Sequence, residues 1–399
     1  MIDVASARRV ILDACPVLAP AEVALAEALG CVTAVAVVAA HDVPSFPNSA
    51  MDGYAVRAAD TADAPVALDV VGTAAAGSAP GVSVGPGQAV RIMTGAVVPE
   101  GADAVVMVER TSVGADGRVL VEVAAAAGDH LRRPGEDLRA GQVVFEAGTE
   151  LGPGHIGVLA SVGCQTVPVV PRPRVGVLST GDELVADGGP LRPGQIRDSN
   201  RPMLLALVAR AGFVPVDLGT APDDEAAITS AIERGVAECD AVLTSGGVSV
   251  GDFDYVKAVL DRLGEMHWWQ VAVRPAKPLA FGTVKATPVF GLPGNPVSAL
   301  VSFELFARPA LRKMAGHAEL FRPETPAVAD EPLRRRPDGK LHLLRVVATP
   351  DRDGRLHVRT SGGQGSHMLR AMALANALAL LPDGDGVDAG EIVNVMVLT

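Results

Sequence analysis

The chain has 399 residues and a formal net charge of -12 at pH 7. This length predicts about two to four domains, and the acidic balance argues against a general nucleic-acid or anionic-membrane surface. The four cysteines have no paired spacing for zinc or for a disulfide framework. No apolar run is long enough to span a bilayer, and the N-terminus lacks the order of a signal peptide, so we expect a cytoplasmic protein.

The first 40 residues predict helices followed by a β-rich run. Apolar residues from Val4 to Ile11 recur with a helical period, and a second helix is expected from Pro20 to Leu29, ended by Gly30. The run from Cys31 to Ala40 is rich in valine and alanine, which is typical of strands.

The next hundred residues predict a β-rich unit. The segment His41–Val56 contains two prolines and little periodicity, so it is an ordered loop or a linker. From Pro65 to Leu138, short strands alternate with glycine turns. Residues 141–170 return to helix and strand, with a helix candidate from Gly154 to Gly163.

After a stiff Pro171–Arg174 segment, strands alternate with helices up to about Met314, which predicts a largely parallel sheet. Residues 318–399 again predict short strands, apart from the stretch Met368–Leu380. We therefore predict a multidomain α/β protein, with a mixed N-terminal part, a β-rich second unit, an α/β unit with a mostly parallel sheet and a C-terminal β-rich module.

One loop of the α/β unit has the residues of a binding site. A buried strand after Asp240 leads into Ser245, Gly246, Gly247 and Ser249, and Asp254 then precedes a helical pattern. Glycines let a ligand approach the backbone, whose N–H groups can hold an anion, and the acidic residues suggest a phosphate bound through a divalent cation. A tight strand–helix turn with an Asp N-cap is the structural alternative.

Two similar loops, Ser179–Glu183 and Gly291–Ser298, follow other expected strands, and such loops meet at one edge of a parallel sheet. The segment Arg274–Pro278 places two cations between prolines, which suits an oxyanion, although a solvated turn would look the same. Met51–Tyr54 is either part of an acidic site or an Asp-Gly turn. Ser361–Met368 is either a further segment of the site or a flexible glycine-rich loop.

Neither a dinucleotide fingerprint nor a Walker loop is present.

Seven segments, in this order, resemble the molybdopterin molybdenumtransferase family, which includes the MoeA proteins and the E domain of gephyrin. They are Pro47–Val56, Ile92–Ala96, Pro134–Asp137, Ser179–Leu184, Ser245–Gly251, Arg274–Pro278 and Gly291–Ser298.

The resemblance implies an elongated homodimer of four-domain chains, with a small mixed N-terminal domain and a C-terminal β-barrel-like domain. The implied domains are 1–40 plus 141–171 (domain I, mixed), 41–140 (domain II, β-rich), 172–317 (domain III, the molybdopterin-binding α/β fold) and 318–399 (domain IV, β). The active site would lie between domain III and domain II of the other subunit. The implied reaction takes adenylyl-molybdopterin and molybdate to molybdenum cofactor and AMP with Mg²⁺, with possible transient contact to molybdopterin adenylyltransferase.

Site residues follow from the matching positions. The resemblance implies catalytic roles for Asp52, Glu183, Asp223, Asp254 and Lys277, with Glu183 and Asp254 as Mg²⁺ ligands. Asp223 also fits a helix cap. The implied contacts to pterin, phosphate and molybdate are Thr94, Asp137, Thr180, Gly181, Ser245, Gly246, Gly247, Ser249, Arg274, Pro293, Asn295, Ser298 and Ser366.

Two positions depart from the family pattern. Gln270 stands where family members often carry a lysine, and Arg274 replaces another lysine with a forked donor. The alternative function is a non-catalytic scaffold of the gephyrin type that binds pterin or peptide, which would have no need for Asp52, Glu183 and Asp254. The related adenylyltransferase shares the α/β fold but is normally one short domain.

Overall fold

The computed structural model describes residues 1–79, 81–247, 255–352 and 354–398. Its first elements are α1 (Val4–Ala14), β1 (Ala21–Ala24), β2 (Val32–Thr33) and β3 (Val37–Val38). The Asp3 side chain caps α1 by accepting a hydrogen bond from the Ser6 backbone N–H at 2.8 Å. The buried face of α1 packs into the core of the α/β unit.

The second helix expected over Pro20–Leu29 is wrong. That segment forms strand β1 and then a 3₁₀ turn, Leu25–Glu27. The reason is tertiary, because β1 pairs antiparallel with a strand more than a hundred residues later, with Ala21 opposite Val169. Strand pairing here overrides the weak local helix preference.

In the β-rich unit, the part of the chain that the structure describes forms eight strands: β4 (Asn48–Ser49), β5 (Gly53–Val56), β6 (Val66–Ala74), β7 (Gln88–Ile92), β8 (Ala104–Met107), β9 (Thr111–Val113), β10 (Val119–Val121) and β11 (Leu131–Arg132). Six of them form one sheet in the order β8-β5-β7-β6-β10-β9. The chain then adds β12 (Val143–Phe145), α2 (Pro153–Ser161) and β13 (Thr166–Val170), and β13 lies between β1 and β2. The helix expected from Gly154 is therefore confirmed.

The described residues of the α/β unit form nine strands: β14 (Arg174–Thr180), β15 (Leu184–Val185), β16 (Ile196–Arg197), β17 (Val214–Ala221), β18 (Ala241–Ser245), β19 (Glu265–Gln270), β20 (Val273–Arg274), β21 (Pro278–Val284) and β22 (Thr287–Leu292). Its helices are α3 (Asn200–Arg210), α4 (Glu225–Glu238), α5 (Tyr255–Leu263), α6 (Pro296–Ser302) and α7 (Arg308–Met314). A π-helical turn, Phe303–Ala307, joins α6 to α7.

The central sheet has the order β17-β14-β18-β22-β21-β19. Strands β17, β14, β18 and β22 are parallel to one another, β21 is antiparallel to β22, and β19 is antiparallel to β21, so only β21 runs in the opposite direction within this sheet. Helices cover both faces, so β14 and β18 are apolar and buried along nearly their whole length. The core on one face includes residues of α1, α3 and α6, and that on the other face includes residues of α4 and α5.

The C-terminal unit contains β23 (Glu324–Ala329), β24 (Leu333–Arg334), β25 (Leu341–Pro350), β26 (Leu356–Thr360), α8 (Leu369–Leu374), β27 (Ala377–Leu381), β28 (Gly386–Val387) and β29 (Ile392–Val397). Strands β25, β26, β23, β29 and β27 close into a five-stranded barrel, because β27 also pairs with β25. Strand β20 of the α/β unit pairs with β25, so the two units share a ladder. In the described chain, none of the helices has the length and apolar character needed to cross a bilayer.

Candidate active site

The loops that follow the four parallel strands lie at one edge of the sheet. Strands β14, β17, β18 and β22 end at Thr180, Ala221, Ser245 and Leu292, and each runs parallel to its neighbours. The carboxyl ends of parallel strands share an edge. The structure therefore brings together the three loops that the sequence marked as candidates, except for the part of the β18 loop that lies outside the described residues.

Two of these loops are in direct backbone contact. Gly246 has φ +103°, and a Cβ there would lie 2.9 Å from the Thr180 carbonyl oxygen and 3.0 Å from its Oγ1. Gly181 has φ +145°, and a Cβ would lie 2.4 Å from Oε2 of Glu183. The absence of a side chain at Gly246 lets the β18 loop approach Thr180 of the β14 loop, and Glu183 follows in that same β14 loop, so the candidate phosphate-binding backbone and the candidate acid are neighbours.

Asp198, just before α3, and Asn200, the first residue of α3, hold the strand ends in place. Asn200 Nδ2 donates to the Ser245 hydroxyl and to the Gly294 carbonyl, both at 2.7 Å. The buried Asp198 carboxylate accepts hydrogen bonds from the hydroxyls of Ser179 at 3.0 Å and Thr220 at 2.9 Å. Asp198 and Asn200 thus connect four neighbouring strands at the edge where the candidate loops meet.

The sequence reading missed this pair. The signal was an Asp-Ser-Asn sequence directly before a helix, but such residues are common helix caps. The Asn200 Oδ1 atom is buried, and no described residue hydrogen-bonds to it.

A cavity of about 370 Å³ lies at the same edge. Strand β21 is antiparallel to β22 with Ala280 opposite Gly291, so the residue before β21, Lys277, reaches the level of the loop after β22. Of the predicted site residues, the cavity is lined by Arg274, Lys277, Asn295, Ser298 and Ser366. The loop that carries Ser366 comes from the barrel, and its carbonyl accepts a hydrogen bond from the Val297 N–H at 3.1 Å.

The barrel also supplies charged residues that the sequence reading missed. Lys340 and Asp338 line the same cavity, and Lys340 Nζ donates to Asp338 Oδ2 at 2.7 Å. The hydrogen bond from Lys340 lowers the pKa of Asp338 to about 2, with a smaller contribution from the hydrogen bond from His342. The chain has only five lysines, and two of them, Lys277 and Lys340, line this cavity. That scarcity was the one sequence signal for Lys340.

A second, basic chamber of about 350 Å³ shares Arg274 and Gln364 with this cavity. The Arg345 side chain lines it and is 1% exposed. Its guanidinium donates to the carbonyls of Gly363 at 3.0 Å and Gly365 at 3.1 Å. Burial lowers the pKa of Arg345 to about 10. Arg345 therefore holds the glycine-rich loop that carries Ser366, and the flexible-loop reading of this segment does not fit these contacts.

The acidic residues of the α/β edge lie on the side away from the cations. Glu183 is exposed, and its carboxylate makes no hydrogen bond or ion pair with the described residues. Asp223 and Asp182 exchange backbone-to-carboxylate hydrogen bonds of 3.0 and 3.4 Å. The helix cap proposed for Asp223 is wrong, because Asp224 caps α4 by accepting from the Ala227 N–H at 2.8 Å.

The sheet edge has a carboxylate, that of Glu183, that suits Mg²⁺. Across the described ranges, no three His, Cys, Asp or Glu side chains form a metal cluster. Mg²⁺ keeps several waters and needs only one or two carboxylates besides phosphate oxygens. The exposed, unpaired Glu183 suits that role. The second expected ligand, Asp254, and the expected contact Ser249 lie outside the described residues.

The remaining predicted site residues lie in the β-rich unit. The Asp52 carboxylate accepts from the Thr94 N–H at 2.7 Å and from its hydroxyl at 2.9 Å, and these bonds lower the pKa of Asp52. Asp137 is exposed, and its N–H donates to the Val43 carbonyl at 3.0 Å. Within the described chain, the hydrogen bonds of Asp52, Thr94 and Asp137 are made inside the β-rich unit, and none reaches the loops at the edge of the α/β sheet.

Comparison with known proteins gives one family. The MoeA N-terminal region (domain I and II) matches residues 2–163, the probable molybdopterin binding domain residues 176–313, and the MoeA C-terminal region (domain IV) residues 327–398. The chain is 42% identical to molybdopterin molybdenumtransferase 2 of Mycobacterium tuberculosis, with 100% of both chains covered. It is 41% identical to the molybdopterin molybdenumtransferase of Haemophilus influenzae, over 93% of this chain and 92% of the relative.

The fold gives the same answer. The structure is similar to the crystal structure of the molybdopterin biosynthesis MoeA protein of Pyrococcus horikoshii, with a TM-score of 0.79 and 31% identity over 100% of this chain and 99% of that chain. The α/β sheet, the closed barrel and the order of the matching regions are all accounted for by this similarity. The chain belongs to the MoeA family of molybdopterin molybdenumtransferases.

Proposed function

We propose that this chain inserts molybdenum into molybdopterin, taking adenylyl-molybdopterin and molybdate to molybdenum cofactor and AMP. The observation that carries the proposal is the arrangement of charge along one sheet edge. Cations line the cavity before β21, and the exposed carboxylate of Glu183 follows β14. These strands are three positions apart in the sheet, which corresponds to roughly 14 Å, a span that suits an extended dinucleotide-like substrate.

The cavity is the proposed site for molybdate. Arg274 and Lys277 supply charge-assisted hydrogen bonds, and Ser298 and Ser366 supply hydroxyls. Molybdate is a tetrahedral dianion, so several donors from different directions suit it better than one. Arg345 supports this wall of the cavity by holding the loop of Ser366.

The glycine backbone at the other end is the proposed site for the phosphates. Gly246 and Gly247 both have positive φ directly after β18. The Gly246 N–H donates to the Leu292 carbonyl at 3.2 Å, Thr180 lies beside Gly246 with Gly181 next in the chain, and the buried Pro293 is in the next loop. Glu183 and Asp254 would hold Mg²⁺, which supplies charge neutralisation at the phosphate oxygens when bound. Asp223 lies in the adjacent loop and would orient the cleaved phosphate. Positioning and charge would then account for most of the rate, with no covalent protein intermediate.

We propose that Asp52 and Thr94 act on the site of a second subunit in a homodimer, with Asp137 lining the same cleft. The support is that Asp52 and Thr94 are exposed and tied to each other. A carboxylate fixed by two hydrogen bonds on an exposed turn is already oriented for a ligand from another chain. We also propose that a transient contact with molybdopterin adenylyltransferase delivers the adenylylated substrate to this cleft.

The test is incubation of the full chain with adenylyl-molybdopterin, molybdate and Mg²⁺, with AMP and active cofactor as the two readouts. We expect AMP release to require molybdate. Binding of the pterin substrate without molybdate-dependent AMP release would instead identify a scaffold of the gephyrin type and would contradict the proposal.

A further inference from the structure

The cavity that contains Arg274 and Lys277 has a third cation, and this one comes from the barrel. Lys340 directly precedes β25, and its side chain is 18% exposed. It lines the cavity together with the two cations of the α/β unit and with Ser298 and Ser366. A site built between two units of the chain thus has positive charge on both walls.

In the structure, Lys340 is paired with Asp338. The ammonium donates to Oδ2 at 2.7 Å, while Oδ1 lies 3.0 Å from both Arg335 and His342. Asp338 would therefore keep two partners, one of them the fully buried guanidinium of Arg335, if Lys340 turned away. The Lys340–Asp338 pair can open without leaving the carboxylate uncompensated.

The charge of the cavity favours that exchange. Three cationic side chains and one carboxylate line it, an excess of two positive charges that complements a tetrahedral dianion. A bound oxyanion dianion carries two negative charges against one on Asp338, so it attracts the Lys340 ammonium at least as strongly at equal distance and repels Asp338.

We propose that Lys340 is an oxyanion-binding residue of this site, paired with Asp338 in the free protein and donating to a bound tetrahedral dianion. The proposal rests on the proposed function, since it assigns one more residue to the same reaction. The dianion is either molybdate or the phosphate of the nucleotide part of the substrate, and both have the same tetrahedral chemistry. No bond is made or broken in the exchange.

The experiment measures binding to the full chain by calorimetry, with sodium molybdate in one arm and AMP in the other. We expect Lys340→Gln to raise the Kd for one of the two anions about tenfold, as for loss of a hydrogen bond to a charged group. Lys340→Arg should stay within about threefold of the wild type, since it keeps the charge. Lys285→Gln, at an exposed lysine on the β21–β22 turn, is the matched control and should change neither value.

Asp338→Asn provides an independent check, because it removes the repulsion and the partner that holds Lys340 while keeping an oxygen for Arg335. We expect it to tighten binding of the same dianion, and binding no tighter than wild type would contradict the exchange of partners. Equal affinities of wild type and Lys340→Gln in both arms would overturn the assignment of Lys340 and leave the proposed function intact. A wild-type chain that binds neither anion would overturn the proposed function itself.

Discussion

The amide nitrogen of Asn200 donates a 2.7 Å hydrogen bond to the hydroxyl of Ser245, 45 residues later in the chain. The same amide reaches the Gly294 carbonyl, so one side chain connects the loops after β18 and β22. We expect Asn200→Ala to cost about 1–3 kcal/mol of stability, because it leaves buried polar groups without partners. The rate of AMP release should fall more than ten-fold, since small displacements of a site are costly.

Urea unfolding and single-turnover kinetics measure the two effects separately. Ser245→Ala is the matched comparison, since it removes one of the two hydrogen bonds and should have the smaller effect. Full activity in a stable Asn200→Ala protein would show that the loops hold their positions without it.

Glu183 is expected to be needed for chemistry and dispensable for substrate binding. It is exposed and unpaired with the described residues, so Glu183→Ala should leave the fold and pterin affinity nearly unchanged. Molybdate-dependent AMP release should be abolished if Glu183 is the proposed Mg²⁺ ligand, because Mg²⁺ is held by only one or two carboxylates. The exposed carboxylate of Asp187, in the same part of the chain, gives the control variant Asp187→Ala. Full turnover of Glu183→Ala would remove Glu183 from the mechanism.

Mixing of variants tests whether two subunits share each site. Asp52→Asn and Glu183→Ala chains should each be inactive alone. After subunit exchange, about a quarter of wild-type activity should return, since half of randomly formed dimers are mixed and each has one intact site. If Asp52 serves the site of its own chain, the mixture stays inactive. Sedimentation of the mixture at the same concentration reports whether dimers are present at all.

Stability should fall as the pH falls through 6.5. Burial lowers the pKa of His317 and of His342 below the usual value of 6.5. Just below that pH the unfolded chain binds protons that the folded chain does not, so acidification favours unfolding. We expect the urea midpoint to drop between about pH 7.5 and about pH 5.5. His317→Gln should flatten this slope, whereas His267→Gln, at an exposed position, should not. A flat profile for the wild type would contradict the expectation.

The parts of the site that could be predicted are those encoded by adjacent residues. Alternation of strands and helices, with glycine-rich loops after the strands, was enough to place the loops near Thr180, Ser245 and Leu292 at one edge. The prediction of a helix over Pro20–Leu29 was wrong because the structure of this segment is set by a distant one: strand β1 pairs with β13.

The residues that sequence reasoning missed act across large separations. Asn200, Lys340 and Arg345 each have an ordinary local interpretation, as a helix cap, a turn lysine and a strand arginine. Their roles depend on which distant backbone or cavity they meet, such as the contact of Arg345 with the loop of Gly363 and Gly365. No periodicity or spacing in one sequence contains that information.

Strand β20 belongs by sequence to the α/β unit but pairs with β25 of the barrel, with Arg274 opposite His342. Lys277, three residues later, precedes a strand of the central sheet. Arg274 therefore lies on a strand paired with the barrel, and Lys277 lies directly before a strand paired within the central sheet. A ligand that contacts both side chains would bind at the junction of the two units, so its affinity would report how these units pack together.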